Sequence, residues 1–276
     1  MTGQSDSTKA CTPEDQRLLL EVDNRVAVVR LNRPEARNAM TRRMRNDLCA
    51  MLRAADTDDK VSVVILTGTD PAFTGGVDLR EVAAQEQAVI GTSKRQAQDP
   101  AVIGDGKRQA EDPAQACRDT SKPLICAVNG TCVTGGLEIA LSCDFIVASD
   151  RARFADTHAK IGVIAAWGMT ALLPRAVGKR MAKEMTATAR FVEADEALRI
   201  GLVNHVVPHY QLLAHARALA GRVAEVATPA TATTMSLYDD GDGKSFAESR
   251  AMEEVAMRNW KVDTEDMQRR GLGRGN

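Results

Sequence analysis

The stretch that decides the fold is KPLICAVNGTCVTGGLEIALSCDFIVAS, residues 122–149. Its apolar run at 124–128 predicts a buried strand, and the glycine-bearing turn that follows predicts a helix from about residue 135 to 142. A second apolar run at 145–148 predicts another strand. Because Asn129 and Glu138 interrupt the stretch, we interpret it as strand and helix and not as a membrane span. Strand, helix and strand in succession are typical of an α/β fold.

Upstream of this stretch the sequence predicts a hairpin, a helix and a strand. Apolar runs at 18–22 and 26–31 are separated by Asp23-Asn24, a typical turn pair. From Thr41, its expected N-cap, apolar residues recur at helical spacing as far as Ala55. Residues 61–67 form a continuous apolar run that predicts a buried strand.

Downstream the pattern becomes mainly helical. Predicted helices cover 169–177, 180–189, 194–200 and 211–226, the third ending at Gly201. We therefore expect a disordered leader at 1–15, a core at 16–205 and a C-terminal helical region at 206–276.

A tandem repeat lies between the two α/β segments. Residues 88–100 (AVIGTSKRQAQDP) are followed by residues 101–113 (AVIGDGKRQAEDP), and ten of the thirteen positions match. Two copies are too few for a solenoid. The repeat is either a solvated surface duplication or a lid that faces phosphate groups through Lys94, Arg95, Lys107 and Arg108.

Composition excludes several classes of function. A balance of 36 Lys and Arg against 37 Asp and Glu gives no electrostatic case for a nucleic-acid partner. The N-terminus lacks the pattern of a secretory signal, and the six cysteines lack a CxxC pair. We therefore expect a reducing compartment, the cytoplasm, and no membrane association. The four histidines show no HExxH pattern, so we expect no metal.

Two glycine-bearing turns are the best candidates for chemistry. FTGGVDL (73–79) and TGGLE (134–138) each follow an apolar strand and precede an expected helix. The first N–H groups of a helix have no internal partner, so such turns bind anions or developing oxyanions. Neither turn has the spacing of a Walker loop or a dinucleotide site.

Glu138 stands three residues after Gly135, on the same face of the expected helix. A general base would then lie beside an oxyanion donor. The alternative is that Glu138 only complements the helix dipole, as acids in a first turn commonly do.

Several ordered segments closely resemble the signature segments of the enoyl-CoA hydratase/isomerase (crotonase) family. They are LNRPEARNAM (31–40), AFTGGVDL (72–79) and the opening stretch, followed in family order by FADTHAKIGV, LLPRAVGKRMAKEM and ADEALRIGLVNHVV. The resemblance spans roughly residues 16–210. It implies a spiral of repeated ββα units with a C-terminal helical region that builds a homotrimer, often paired into a hexamer.

The resemblance also implies roles for individual residues. The backbone amides of Val77 and Gly135 would form an oxyanion hole for an acyl-CoA thioester, and Glu138 falls on the first of two family glutamates. His158 stands where the second glutamate is expected, which is a departure from the family pattern. His158 is either a proton carrier or a pocket residue without that role. The expected substrate and CoA contacts are Arg37, Ala39, Gly75, Gly76, Asp78, Leu79 and Gly136.

The function that the resemblance implies is hydration of a trans-2-enoyl-CoA through a stabilised enolate. No cofactor is expected beyond the coenzyme A that the substrate carries. Because His158 replaces the second glutamate, two alternatives stay open: another family reaction such as double-bond isomerisation, and a non-catalytic acyl-CoA-binding protein.

Overall fold

The computed structural model describes residues 16–83, 112–226 and 229–265, and it confirms the α/β class. The described strands and helices, in chain order, are β1 (Leu18–Asp23), β2 (Val26–Leu31), α1 (Arg42–Thr57), β3 (Val63–Gly68), β4 (Ala72–Thr74), α2 (Pro113–Arg118), β5 (Leu124–Val128), β6 (Thr131–Val133), α3 (Gly135–Leu141), β7 (Phe145–Ser149), β8 (Arg153–Ala155), α4 (Met169–Val177), α5 (Lys179–Thr188), β9 (Val192–Glu193), α6 (Ala194–Arg199), β10 (His205–Val207), α7 (Leu212–Val226), α8 (Pro229–Gly241) and α9 (Phe246–Asn259). The leader at 1–15 and the repeat residues 88–111 lie outside the described residues.

The predicted hairpin and first helix are confirmed. Strands β1 and β2 pair antiparallel. Asn24 and Arg25 make the turn with positive φ angles of 47° and 64°, the left-handed geometry that a tight hairpin requires. Thr41 caps α1, because its side chain accepts a hydrogen bond from the Met44 backbone N–H at 3.2 Å.

A six-stranded sheet in the order β1-β2-β3-β5-β7-β10 forms the centre of the fold. From β2 onward its strands are parallel and are covered on both faces. Val29 and Leu66 face the cluster that contains the buried side of α1, whereas Val28 and Ile65 face the buried side of α7. This two-sided burial explains why the sequence of β3 reads as a continuous apolar run.

A second, four-stranded sheet in the order β4-β6-β8-β9 carries the candidate site. Three times in succession the chain leaves a strand of the large sheet, turns, and adds a short strand to the second sheet: β3 to β4, β5 to β6, and β7 to β8. The parallel pairs β4–β6 and β6–β8 place the C-terminal ends of these strands side by side. The loops that follow β4, β6 and β8 are thereby brought together.

The chain divides into two compact units, Met1–Glu225 and Val226–Asn276. Strand β10 and helix α7 lie in the first. In the described part of the second unit no side chain of α8 or α9 is buried, and Phe246 and Met257 are 84% and 75% exposed. None of the described helices combines the length and apolar character that crossing a bilayer requires.

Candidate active site

The two glycine-bearing turns predicted from the sequence meet at the ends of β4 and β6. A Cβ atom on Gly76 would lie 3.0 Å from the backbone N of Gly135 and 2.7 Å from Thr134 Oγ1. Gly76 also has a positive φ of 85°. Thr134 Oγ1 donates a hydrogen bond to the Gly75 carbonyl at 3.0 Å, which ties the second turn to the first. A side chain at position 76 would separate the two turns.

The Val77 and Gly135 backbone amides have no acceptor among the described residues. Met40 N donates to Gly76 O at 2.8 Å and Asp78 N donates to Met40 O at 3.0 Å, so Val77 sits in a parallel bridge. In such a bridge the N–H of the central residue points away from the partner strand. Gly135 opens α3, where an N–H group has no intrahelical acceptor. The two turns therefore present a pair of free donors.

Glu138 is buried one helical turn after Gly135, with 2% of its surface exposed. Its Oε1 accepts hydrogen bonds from the Trp167 backbone N at 2.7 Å and from the Met169 backbone N at 3.1 Å. These two amides fix the carboxylate and leave Oε2 directed at His158. Glu138 is thus held in a defined orientation, which a residue that only complements the helix dipole does not need.

His158 lies next to this carboxylate, as its position after β8 allows. Its Nε2 is 3.4 Å from Glu138 Oε2, and the histidine side chain is largely buried. Its other ring nitrogen, Nδ1, is 2.7 Å from Asp156 Oδ1. The imidazole therefore connects two carboxylates.

Asp156 and His158 are in contact. Side chains two residues apart on a helix would instead point in different directions. Residues 156–157 have irregular backbone between β8 and the short 3-10 turn at Ala159–Ile161. Asp156 Oδ1 accepts both the His158 backbone N–H at 3.2 Å and the ring contact. This local turn brings the two side chains onto the same side of the chain.

The electrostatics of this cluster favour a protonated imidazole. Burial lowers the pKa of His158, but the hydrogen bonds and charges of Asp156 and Glu138 outweigh burial and raise it to about 9. Burial raises the pKa of Asp156, but hydrogen bonds from His158 and Thr186 outweigh it and lower the pKa overall. Thr186 Oγ1 donates to Asp156 Oδ2 at 2.6 Å. At neutral pH His158 is an imidazolium whose Nε2–H faces Glu138.

The other predicted contact residues surround the free amides in different ways. Arg33 forms an ion pair with Asp78 and donates to the Ala39 carbonyl at 2.8 Å, so the Asp78 carboxylate already has a cationic partner. Leu79 is 52% exposed. Gly75 N donates to Arg37 O at 3.0 Å, and Gly136 packs against the carbonyl of Thr74.

The Arg37 side chain lies apart from the Glu138 cluster. It lines a cleft of about 350 Å³ at the corners between the two sheets, together with Arg151, Arg153 and His209. The backbone carbonyl of Arg37 bonds to Gly75 in the first turn, and the residue also lines this cleft.

Sequence reasoning missed Trp167. It takes part through its backbone N–H, and every residue except proline carries that group, so no side-chain pattern could reveal it. Its indole ring also lies against Gly135: a Cβ on that glycine would be 2.7 Å from Trp167 Cζ3.

Comparisons with known proteins identify the family of the chain. The profile described as enoyl-CoA hydratase/isomerase matches residues 21–273. A probable peroxisomal enoyl-CoA hydratase 1 from Arabidopsis thaliana is 36% identical over 216 residues, which are 78% of this chain and 76% of the relative. A short-chain-enoyl-CoA hydratase from Clostridium acetobutylicum is 34% identical over 225 residues, 81% of each protein. The crystal structure of an enoyl-CoA hydratase from Mycobacterium tuberculosis H37Rv superimposes with a TM-score of 0.68 at 37% identity, covering 88% of this chain and 98% of that one.

Proposed function

Because the chain belongs to the enoyl-CoA hydratase/isomerase family, we propose that it is an enoyl-CoA hydratase that adds water across the double bond of a trans-2-enoyl thioester. The observation that carries the proposal is the grouping of two free backbone amides, one oriented carboxylate and one imidazole in contact with that carboxylate around the same helix end.

The two amides bind the thioester oxygen. As water adds to Cβ, negative charge moves to that oxygen and an enolate forms. Val77 N–H and Gly135 N–H are fixed before the reaction, so stabilising this charge needs no reorganisation. Loss of one such donor typically costs ~10² to 10³ in rate.

Glu138 is the general base. Its Oε1 is held by two amides, so Oε2 is the atom that takes a proton from water while the water oxygen bonds to Cβ. The electron pair of the double bond moves toward the thioester carbonyl. The product of this step is a protonated Glu138 and a bound enolate.

His158 is the general acid that completes the addition. Its Nε2–H protonates Cα as the enolate collapses to the 3-hydroxyacyl thioester. The proton on Glu138 then returns to His158 across the 3.4 Å gap between Oε2 and Nε2. One water is consumed, both side chains regain their starting charges, and the reaction uses no cofactor beyond the coenzyme A of the substrate.

The remaining parts of the proposal concern binding, assembly and compartment. The backbone around Arg37, Ala39, Gly75, Gly76, Asp78, Leu79 and Gly136 lines the path of the CoA moiety. The chain assembles as a homotrimer or a pair of trimers. The cysteines described at 49, 117, 126, 132 and 143 are free thiols, which supports a reducing compartment, the cytoplasm.

The test is a purified-protein assay with crotonyl-CoA, followed by loss of the absorbance of the conjugated enoyl thioester. We expect loss of that signal together with formation of 3-hydroxybutyryl-CoA. Tight binding of crotonyl-CoA without turnover would instead identify an acyl-CoA-binding protein. Migration of the double bond in a 3-enoyl-CoA without hydration would identify an isomerase.

A further inference from the structure

Trp167 covers the face of α3 on which the proposed chemistry takes place. Gly135 and Glu138 are three residues apart and share that face. The Trp167 backbone N–H bonds the Glu138 carboxylate at 2.7 Å, while its indole ring reaches back to Gly135. The residue therefore spans the distance from the base to the oxyanion donor, which is about one helical turn, ~5.4 Å.

The ring occupies the space directly beside Gly135, which carries one of the two free amides. A Cβ atom on Gly135 would lie 2.7 Å from Cζ3 and 3.1 Å from Cε3 of the indole, and 3.6 Å from the Cα of Gly76. The benzo edge of the ring is thus next to Gly135, the glycine that packs against Gly76 of the other turn. No side chain larger than hydrogen fits at position 135 while the ring holds this position.

Contacts on the other side hold Trp167 in place. Arg45 lies over the ring with its Cζ 5.9 Å from the centroid. Arg118 donates to the Trp167 carbonyl at 3.0 Å and to Ser142 Oγ at 2.7 Å. Ser142 in turn donates to the Glu138 carbonyl at 2.8 Å. Hydrogen bonds therefore hold the Trp167 backbone, and the indole packs against Gly135 and Arg45.

We propose that Trp167 is a specificity-determining residue that selects enoyl thioesters without a substituent on Cα. The inference rests on the proposed hydratase function. With the thioester oxygen on the two amides and Cβ next to Glu138, the Cα atom between them lies along the indole. A hydrogen on Cα fits there, whereas a methyl branch meets the ring.

The side chain and the backbone of Trp167 have separate roles: the indole limits which substrate fits, and the backbone N–H orients Glu138. Glu138 is oriented by the backbone N–H, which every substitution except proline retains. Replacing the indole should therefore change which substrate fits and leave the carboxylate oriented. Sites built on shape discriminate a single methylene by ~10- to 200-fold, so a change of this size is expected.

The experiment compares kcat/KM for crotonyl-CoA and for its Cα-methyl counterpart, tigloyl-CoA, in the wild type, Trp167→Ala and Trp167→Phe. We expect the wild type to favour crotonyl-CoA and Trp167→Ala to raise the tigloyl-to-crotonyl ratio by ~10-fold or more. Trp167→Phe, which keeps a flat ring of smaller size, should give an intermediate ratio. Tyr210→Ala, which removes an aromatic side chain that is 83% exposed, is the matched control and should leave the ratio unchanged.

A ratio that stays within about twofold of the wild type in Trp167→Ala would overturn the proposal. Thermal melts check that each variant is folded. If Trp167→Ala does not fold, Trp167→Leu and Trp167→Phe carry the same comparison.

Binding of saturated analogues distinguishes failure of this inference from failure of the hydratase assignment. Dissociation constants for butyryl-CoA and 2-methylbutyryl-CoA, which differ by the same Cα methyl branch and cannot be hydrated, are measured by calorimetry. Trp167→Ala should reduce the preference for butyryl-CoA even if neither enoyl substrate turns over. An unchanged preference would contradict the proposal that the Trp167 indole excludes a Cα branch, whatever the outcome of the activity assay.

Discussion

A single oxygen of Asp156 holds both the backbone and the ring of His158, at 3.2 Å from its N and 2.7 Å from Nδ1. This arrangement fixes the orientation of the imidazole and, because a carboxylate lies on one side and Glu138 on the other, also fixes its charge. The resemblance places His158 where the family's second glutamate is expected, and the neighbouring Asp156 favours the protonated form of its ring.

Removing the charge of Asp156 should lower the pKa of His158. Asp156→Asn retains an oxygen that can accept the same two hydrogen bonds but carries no negative charge. We expect the alkaline limb of the kcat/KM profile to move from about 9 toward the ordinary histidine value near 6.5. Asp59→Asn, at an exposed position, is the control and should leave the limb in place. An identical profile in Asp156→Asn would show that Asp156 does not set the charge of His158.

Glu138→Gln should abolish hydration and leave binding of butyryl-CoA largely intact. The amide oxygen can still accept from Trp167 and Met169, so the loop remains positioned, but glutamine cannot take a proton from water. General-base catalysis typically contributes ~10² to 10⁴ in rate, and a loss of that order in kcat is expected. Calorimetric binding of butyryl-CoA provides the second readout. A large loss of affinity with kcat retained would contradict the assigned role.

His158→Ala should remove the alkaline limb of the pH profile. If His158 is the proton donor, the wild-type rate is full where the ring is protonated and falls as pH rises through about 9. The alanine variant should be slow at every pH and show no limb from this group. His158→Glu recreates two carboxylates, and we expect it to recover part of the lost rate. Wild-type turnover and profile in His158→Ala would leave Glu138 as the sole proton carrier.

The raised pKa of His158 also predicts how the stability of the fold depends on pH. The folded pKa of about 9 lies above the unfolded value near 6.5, so protonated His158 contributes stability fully below pH 6.5. That contribution is lost as pH rises through about 9. The difference in melting temperature between wild type and His158→Ala should therefore shrink between pH 6.5 and pH 10. A constant difference would indicate that the pair with Asp156 and Glu138 adds no stability through charge.

The sequence predicted the large sheet and its helices because their patterns are long. Strand β5 and helix α4 have the predicted bounds, since five or more apolar or periodic residues give a readable signal. Strands β4, β6 and β8 have three residues each and show no usable period. Residue patterns did not predict them, and the resemblance implied a second strand in each ββα unit without giving its bounds.

The candidate site was predicted residue by residue but not as an arrangement. Glu138 came from its helical spacing after Gly135 and His158 from resemblance to family segments, whereas their 3.4 Å contact depends on the pairing of β6 with β8. The contact of Asp156 with His158 depends on a local backbone turn, which the spacing of the two residues does not reveal. Such pairings are long-range, and local pattern does not encode them.

We expect the C-terminal unit to mediate assembly of the chain. No described side chain of its helices α8 and α9 is buried. Three of the exposed side chains are large: Phe246 is 84% exposed, and Met257 and Tyr238 are each 75% exposed. Exposed apolar side chains concentrated in one unit mark an interaction surface. We expect light scattering at micromolar protein to give about 89 kDa, three times the chain mass of 29.7 kDa, or twice that value. Phe246→Ser combined with Met257→Ser should shift the distribution toward smaller species, while Thr233→Ser, a conservative change in α8, should not. A wild-type mass near 29.7 kDa would show that these side chains stay exposed in solution and that the chain acts as a monomer.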